Sequence, residues 1–93
     1  MQIGTVHSVS MDGFEFSPGE VTIAVGDTVK WTNSADPDWH SATHVPAVGG
    51  KPLFDSPDLH AGDPPFSFTF TTAGDYDYVC RNHGHMKGKV KVQ

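Results

Sequence analysis

Short runs in which apolar and polar residues alternate recur along the chain and predict β-strands. A period of two places alternate side chains on one face of a sheet, which is the usual pattern of a half-buried strand. The clearest runs cover residues 21–25, 29–31, 66–70, 76–80 and 90–92. Weaker runs at 3–9 and 14–16 predict an N-terminal strand followed by a short one.

The same pattern predicts an all-β fold. No segment repeats its apolar residues at the spacing of an amphipathic helix, and ten glycines and seven prolines separate the short runs. Several short strands divided by turn residues favour a sandwich or a barrel. We therefore predict one domain over residues 1–93, without internal repeats or a linker.

Residues 34–65 interrupt this pattern, since most of the prolines lie here and the apolar residues show no sustained period. Loops of this length are usually functional or disordered. The stretch contains Trp39, Leu53 and Phe54, which offer apolar surface that can pack against the domain. We predict a long ordered excursion that carries part of a functional site, with room for one short strand or one turn of helix.

The charge of the chain restricts its partners. The formal net charge is −5, which argues against nucleic-acid binding, because that function requires a basic face or stripe. Four of the six basic residues lie near the C-terminal end, at Arg81, Lys87, Lys89 and Lys91. They indicate either a local positive patch or alternating lysines on a solvated strand face.

The sequence also restricts the location of the protein. No segment approaches the roughly 18 consecutive apolar residues that a membrane span requires. The first residues lack the positively charged segment and apolar run of a secretory signal peptide. The chain is therefore expected either in the cytosol or, as a mature or trimmed form, in a compartment that it reached before an export signal or anchor was removed.

Cys80 is the only cysteine, so an intramolecular disulfide is impossible. A domain of 93 residues has a limited core, and domains of this size are often stabilised by disulfides or by a metal. A bound metal is therefore the expected source of additional stability.

Three potential ligands follow one another at intervals of three residues near the end of the chain. The strand predicted over 76–80 ends at Cys80, and His83 and Met86 follow it. Asn82 and Gly84 between them tolerate a positive φ, which suits a tight reversal. A thiolate, an imidazole and a thioether together favour copper, and electron-transfer copper sites add a second histidine.

The second histidine must come from the long excursion, where His40 and His44 are the candidates. Core packing, zinc sites and catalytic pairs also use some of these residue types. A lone cysteine is most often a small buried hydrophobe, and a lone methionine is most often core filler. Zinc sites usually combine cysteines, or cysteine and histidine, without methionine. A catalytic Cys–His pair lacks an evident orienting carboxylate here. The joint spacing favours copper.

The sequence resembles the cupredoxins, the family of plastocyanin, amicyanin and pseudoazurin, over nearly its whole length. Residues 16–33 are similar to the early strands and turn of the family, and 54–56 and 66–70 to its middle region. Residues 74–90 match its closing copper loop, and the short Cys-x2-His-x2-Met spacing is closest to amicyanin. The resemblance implies a Greek-key β-sandwich, cupredoxin-like, with one long ordered excursion.

The resemblance also implies one type 1, or blue, copper ion. Carried over to this sequence, Cys80 and His83 are equatorial ligands and Met86 is the axial ligand. The family places the remaining histidine shortly after a strand and follows it with a small or polar residue and then an apolar one. The residues after His40 fit that pattern better than those after His44, so His40 is the expected ligand.

The function implied by the resemblance is electron transfer rather than catalysis. Redox partner proteins of the cytochrome, oxidase or dehydrogenase class are expected to dock transiently near His83, whose ring edge the family exposes. Arg81 and Lys87 flank His83, so a partner with an acidic or mixed surface is expected. We further expect a monomer, located in the periplasm or another extracytoplasmic compartment.

Copper delivery or storage is the alternative function. Additional potential donors that could bind copper transiently are His7, His44, His60, His85, Met1 and Met11. A carrier should retain copper through many redox cycles, whereas a delivery protein should exchange it readily. One domain with a single Cys–His–Met set lacks the second copper site that an enzyme built from cupredoxin domains would need.

Three residues depart from the family pattern or are open to two interpretations. Trp39 lies in a longer approach to His40 and is expected to cover the copper loop. His85 lies beside Met86, where amicyanin-like loops carry an apolar residue. It is expected to face solvent, and the alternatives are a second, weak metal ligand or a competitor for the axial position. Tyr78 either forms a tyrosine corner, with its hydroxyl bonded to nearby backbone, or is a core tyrosine with a solvated hydroxyl.

Overall fold

The computed structural model describes residues 4–33, 37–46 and 50–93 and contains eight β-strands. No helix occurs in these ranges, and so none that could cross a membrane. The strands are β1 (Val6–Asp12), β2 (Glu15–Ser17), β3 (Glu20–Ile23), β4 (Thr28–Thr32), β5 (Thr43–His44), β6 (Phe66–Thr69), β7 (Gly74–Cys80) and β8 (His83–Val92).

The strands form two four-stranded sheets, with the orders β2-β1-β4-β6 and β3-β8-β7-β5. β1 runs parallel to β4 and β3 runs parallel to β8, while the remaining neighbours are antiparallel. Each sheet has one apolar face, and the two faces bury one another as in other β-sandwiches. The predicted all-β sandwich is confirmed.

The excursion is ordered against the sheets where the structure describes it. Its single short strand is β5, which adds to the edge of the second sheet beside β7. Two isolated bridges, His40 with Leu59 and Thr43 with Asp55, fold the excursion back on itself. The predicted excursion is therefore ordered in the described residues, and of the two predicted alternatives it contains the short strand rather than the turn of helix.

Trp31 lies at the centre of the core between the sheets and is fully buried. Its indole stacks on Phe54 with a centroid separation of 5.2 Å and lies edge-on to Tyr78 at 5.3 Å. Phe66 packs beside it at 5.8 Å. Aromatic side chains bury large areas, so this group supplies much of the apolar burial in a small domain.

The tyrosine corner is formed by Tyr76 rather than Tyr78. The hydroxyl of Tyr76 donates to the backbone carbonyl of Thr72 at 2.6 Å. Tyr78 is instead a core residue with a buried hydroxyl, and this burial raises its pKa to about 12. Gly88 faces Tyr78 across β7 and β8, and a Cβ there would overlap the tyrosine ring. Tyr78 is a core tyrosine, as one interpretation predicted, but its hydroxyl is buried rather than solvated.

The turn between β1 and β2 has an unusual backbone. Gly13 and Phe14 both have positive φ, at 62° and 65°, as the central residues of a two-residue hairpin loop require. Glycine adopts this conformation freely, whereas phenylalanine does so at a cost. The turn directs the Phe14 ring toward the loop that follows β7.

Candidate metal centre

Three potential metal ligands converge at the end of the sandwich where β7 ends. The Sγ atom of Cys80 lies 3.8 Å from Nδ1 of His40 and 3.5 Å from Nδ1 of His83. The three donor atoms all lie within 4.8 Å of one another, so one ion can contact all of them. Cys80 and His40 are fully buried and His83 is half-buried.

The end of β7 positions two of these residues. The pairing of β7 with β8 is irregular between Val79 and Cys80, and Cys80 then pairs with His83. Arg81 and Asn82 make the reversal. The predicted reversal therefore occurs, although neither Asn82 nor Gly84 uses a positive φ to make it. The β8 strand begins at His83 itself, which places this potential ligand within the sheet.

The excursion positions His40. Its backbone N–H donates to the carbonyl of Leu59 at 3.2 Å, and the N–H of Leu59 donates to the carbonyl of His40 at 2.7 Å. The side-chain amide of Asn33, at the end of β4, also donates to the Leu59 carbonyl at 3.0 Å. Buried backbone and amide hydrogen bonds thus fix the main chain of His40 independently of a metal.

A backbone amide is directed at the cysteine sulfur. The N–H of Ser41 donates to Sγ of Cys80 at 3.4 Å, within a buried environment. Hydrogen bonds to a ligand sulfur change its charge density and therefore the reduction potential of a bound metal. Neither this contact nor the Leu59 pairing could be inferred from the sequence, because both depend on how the excursion folds.

Met86 and His85 are adjacent on β8 and have opposite environments. Met86 is buried, with 1% of its surface exposed, and lies three residues after His83. His85 is exposed, as expected. The strand alternation explains the difference, since neighbouring side chains on a strand point to opposite faces.

Phe14, rather than Trp39, covers the imidazoles. The Phe14 ring lies 4.8 Å from that of His83 and 6.3 Å from that of His40, edge-on to both. The Trp39 ring instead packs on His60 at 4.4 Å, so the expected position of Trp39 over the copper loop is wrong. The Asp-Gly turn was the available signal for Phe14, because it marks a tight hairpin, but its position over the site depends on the fold.

His44 lies apart from the cluster. Its Nδ1 accepts a hydrogen bond from the backbone N–H of Leu53 at 2.9 Å, and its ring stacks on Phe54 at 5.4 Å. The structure therefore brings His40, and not His44, to Cys80. Burial lowers the pKa of His44, and the nearby charge of Asp77 opposes this effect.

The free energy of unfolding is expected to fall as the pH drops below about 6.5, the usual pKa of histidine in an unfolded chain. The unfolded chain binds a proton there more readily than the folded protein, whose neutral His44 accepts the Leu53 bond. The partly exposed ring limits the contribution to less than about 1 kcal/mol. Urea unfolding at pH 7.5 and 5.5 measures it.

A His44→Gln variant should show a smaller loss of unfolding free energy between these two pH values than the parent protein. His85→Gln is the matched control, since it removes an exposed histidine. Equal pH dependence in the parent and the His44 variant would contradict the assignment.

The C-terminal cations are mostly neutralised. Arg81 pairs with Asp55 at 2.6 Å and with Asp58 at 2.9 Å. The Lys89 ammonium lies 3.8 Å from Asp77, and that of Lys91 lies 3.7 Å from Glu20. Lys87 has no ion pair within the described residues. This arrangement agrees with lysines on a solvated strand face rather than with an extended positive patch.

The donor set fits copper. A buried thiolate and two imidazoles lie together, and a buried thioether follows on the same strand as His83. Sulfur and imidazole ligands of this kind are the set that electron-transfer copper sites use, and a thioether is unusual for zinc.

Comparison with known proteins decides the family. A model of the copper-binding proteins of the plastocyanin/azurin family matches residues 4–93. The chain belongs to this family. The match covers both sheets and all three clustered donors, so the fold and the donor set lead to the same conclusion.

Relatives of known name agree with this assignment. The chain is 37% identical over 86 residues to amicyanin of Paracoccus denitrificans, covering 91% of the chain and 63% of that protein. It is 39% identical over 84 residues to the chloroplastic plastocyanin of Tetradesmus obliquus, covering 84% of the chain and 58% of that protein. The chain thus spans less than two thirds of the length of these two relatives.

Solved structures show the same fold. A purple cupredoxin from Nitrosopumilus maritimus superposes with a TM-score of 0.82 at 33% identity, over 94% of the chain and 99% of that protein. A copper-containing nitrite reductase from Thermus scotoductus SA-01 superposes with a TM-score of 0.80 at 34% identity, over 94% of the chain but only 22% of that protein. The cupredoxin fold therefore occurs in its neighbours both as nearly the whole of a protein and as one part of a larger one.

Proposed function

We propose that the protein is a type 1 copper electron carrier with His40, Cys80 and His83 as equatorial ligands and Met86 as the axial ligand. The buried convergence of the Cys80 sulfur with two imidazole nitrogens is the observation that carries the proposal. The relatives named amicyanin and plastocyanin support it.

Copper bound there would supply a one-electron couple between Cu(II) and Cu(I). The residues of the chain hold the donor atoms in place while one electron arrives from a donor protein and one leaves to an acceptor. His40 is fixed by the paired backbone bonds to Leu59, and Cys80 by the end of β7. Fixed donors limit the rearrangement that accompanies each change of charge, which favours rapid transfer.

His83 is the proposed point of electron exit, because it is the half-buried member of a set whose other two members are fully buried. Phe14 contacts its ring and is 46% exposed. Redox complexes are typically small and transient, and an exposed apolar residue beside a redox centre suits such a contact. We propose that a cytochrome, oxidase or dehydrogenase docks transiently on this surface. We also propose that the protein is a monomer.

Lys87 is expected to influence the approach of a negatively charged partner. It is exposed, lies on β8 with His83, and has no ion pair in the described chain, whereas Arg81 pairs with two carboxylates. Oxidation of the reduced protein by hexacyanoferrate(III), a one-electron anionic oxidant, should slow several-fold in Lys87→Glu at low ionic strength. The difference should shrink as added salt screens the charge.

Lys91→Glu is the matched control for Lys87→Glu, because Lys91 is a lysine of the same strand that already faces Glu20. Stopped-flow rates across a salt series measure both variants. Identical rates for Lys87→Glu and the parent protein at low salt would exclude an electrostatic role for this lysine.

Copper delivery is less well supported by the arrangement of the other donors. Met11 is buried in the core, His7 is bonded to Asp27 at 2.9 Å, and His60 to Asp63 at 3.0 Å. Met1 lies outside the described residues. Within those residues, the additional histidines form no second cluster of three donors that could pass copper onward.

We further propose an extracytoplasmic location and no catalytic activity. The relatives named amicyanin and plastocyanin support both proposals. In the described chain, the donor cluster is the only group of three or more His, Cys, Asp or Glu residues that could hold a metal.

The test is the addition of one equivalent of Cu(II) to the metal-free protein. An intense visible absorption that bleaches on addition of a one-electron reductant and returns on reoxidation would support the carrier. A pale spectrum, typical of nitrogen and oxygen ligands alone, would overturn it. Competition with a copper chelator then separates the two candidates, since a carrier should release copper slowly and a delivery protein quickly.

A further inference from the structure

Arg81 follows Cys80 directly and contacts the excursion through both terminal nitrogens of its guanidinium group. Its Nη1 donates to Asp55 at 2.6 Å and its Nη2 to Asp58 at 2.9 Å. Both nitrogens also donate to the backbone carbonyl of Ser56 at 3.3 Å. The planar guanidinium thus joins three acceptors of one segment, an arrangement that suits the fork geometry of arginine.

The backbone of Arg81 makes a second connection, to the segment that carries His40. Its N–H donates to Oγ of Ser41 at 2.8 Å, and the N–H of Ser41 in turn donates to Sγ of Cys80. Ser41 is therefore held from both sides. The position of Ser41 decides whether its backbone N–H can donate to Sγ of Cys80.

The neighbouring residue strengthens the connection. The side-chain amide of Asn82 donates to Asp58 at 3.0 Å and to the carbonyl of Trp39 at 3.2 Å. The Asn82 amide, and then the Arg81 guanidinium, hold the pKa of Asp58 below its ordinary value. Asp58 thus remains ionised as a partner for both residues.

We propose that Arg81 is a positioning residue that fixes the His40–Ser41 segment against Cys80 and so maintains the hydrogen bond from Ser41 to the sulfur. The proposal rests on the ligand assignment made above. A hydrogen bond to the thiolate offsets negative charge, which favours the reduced state, so its weakening should lower the reduction potential. Loss of the same support should also release copper faster.

The contacts predict that replacement of Arg81 has different effects on the metal centre and on the free energy of unfolding. The Arg81 side chain is 43% exposed, and exposed ion pairs contribute little to the free energy of unfolding. Residues that orient ligands, in contrast, typically change metal affinity by about 10- to 100-fold. Replacement of Arg81 should therefore alter the metal centre far more than the overall stability.

Three variants test the proposal: Arg81→Met, Arg81→Lys and Asp58→Asn. Arg81→Met should release Cu(II) to a chelator about 10-fold faster or more, with a lowered reduction potential and a changed EPR spectrum. Arg81→Lys should not restore the parent values, because an ammonium cannot reach two carboxylates and a carbonyl together. Asp58→Asn should give an intermediate change.

Lys91→Met is the matched control, because it removes a cation of comparable exposure that faces a carboxylate, that of Glu20. It should leave the potential, EPR spectrum and copper release at parent values. An effect of Lys91→Met as large as that of Arg81→Met would overturn the proposal, as would full rescue by lysine.

Amide hydrogen exchange of Ser41 in the metal-free protein is the second readout and does not depend on copper. Arg81→Met should accelerate exchange of the Ser41 N–H relative to the parent protein and to Lys91→Met. Unchanged exchange would overturn the proposal. If only the copper assignment is wrong, the result differs. The Ser41 N–H then still exchanges faster in Arg81→Met, but the parent protein gives no intense visible band with Cu(II).

Discussion

A Cys80→Ser variant is expected to lose the intense visible absorption of the copper-loaded protein completely. That absorption requires charge transfer from a thiolate sulfur, and the serine hydroxyl neither ionises near neutral pH nor offers a soft donor. The substitution also replaces the sulfur that accepts the Ser41 N–H with a smaller hydroxyl oxygen. Absorption and EPR spectra after addition of one equivalent of Cu(II) measure the change.

His85→Ala is the matched control for this substitution, because His85 is an exposed potential ligand next to Met86. It should retain the visible absorption of the parent protein. Circular dichroism of both metal-free variants verifies that the sandwich is folded. A visible band of parent intensity in folded Cys80→Ser would show that the sulfur does not contact the copper.

A Trp31→Ala variant is expected to lose about 3–5 kcal/mol of unfolding free energy. The indole is fully buried between the two sheets, and its loss removes the stacking partner of Phe54 and the edge contact to Tyr78. The total unfolding free energy of a small domain is only about 5–15 kcal/mol, so this loss is a large fraction of it. Urea unfolding of the metal-free protein measures it without a contribution from copper binding.

The second tryptophan provides the control. Trp39 is 54% exposed and its ring makes a T-shaped contact with His60, so Trp39→Ala should change the unfolding free energy by no more than about 0.5 kcal/mol. The two variants remove the same atoms from opposite environments. Equal losses in the two would contradict the central position of Trp31.

The sequence was sufficient to predict the sheets but not every strand boundary. Alternation identifies β7 because Tyr76, Tyr78 and Cys80 are apolar and their neighbours are mostly polar. The β8 strand begins at His83, well before the alternation of Val90 and Val92, because pairing with β7 orders a polar segment that has no clear period of its own. Tertiary pairing here overrides the local pattern.

The candidate site, too, was only partly predictable from the sequence. The spacing of Cys80 and His83 on either side of a reversal made them candidates, because sequence neighbours at a strand end remain neighbours in the fold. The bond from Ser41 and the cover by Phe14 come from distant parts of the chain, so no local pattern contains them. Arg81 resembled a free surface cation because the positions of Asp55 and Asp58 depend on how the excursion folds.

The parallel pairing of β3 with β8 has a consequence for the order of assembly. It joins Glu20–Ile23 to Lys89–Val92, so the second sheet is complete only when residues from nearly opposite ends of the domain have met. Folding dominated by such distant contacts is slow, on the order of milliseconds to seconds. His40 and Cys80 come together only within that assembled frame, where main-chain bonds already hold them. We therefore expect copper to bind the folded protein, in contrast to the metal of a zinc finger, whose binding drives the folding of its domain.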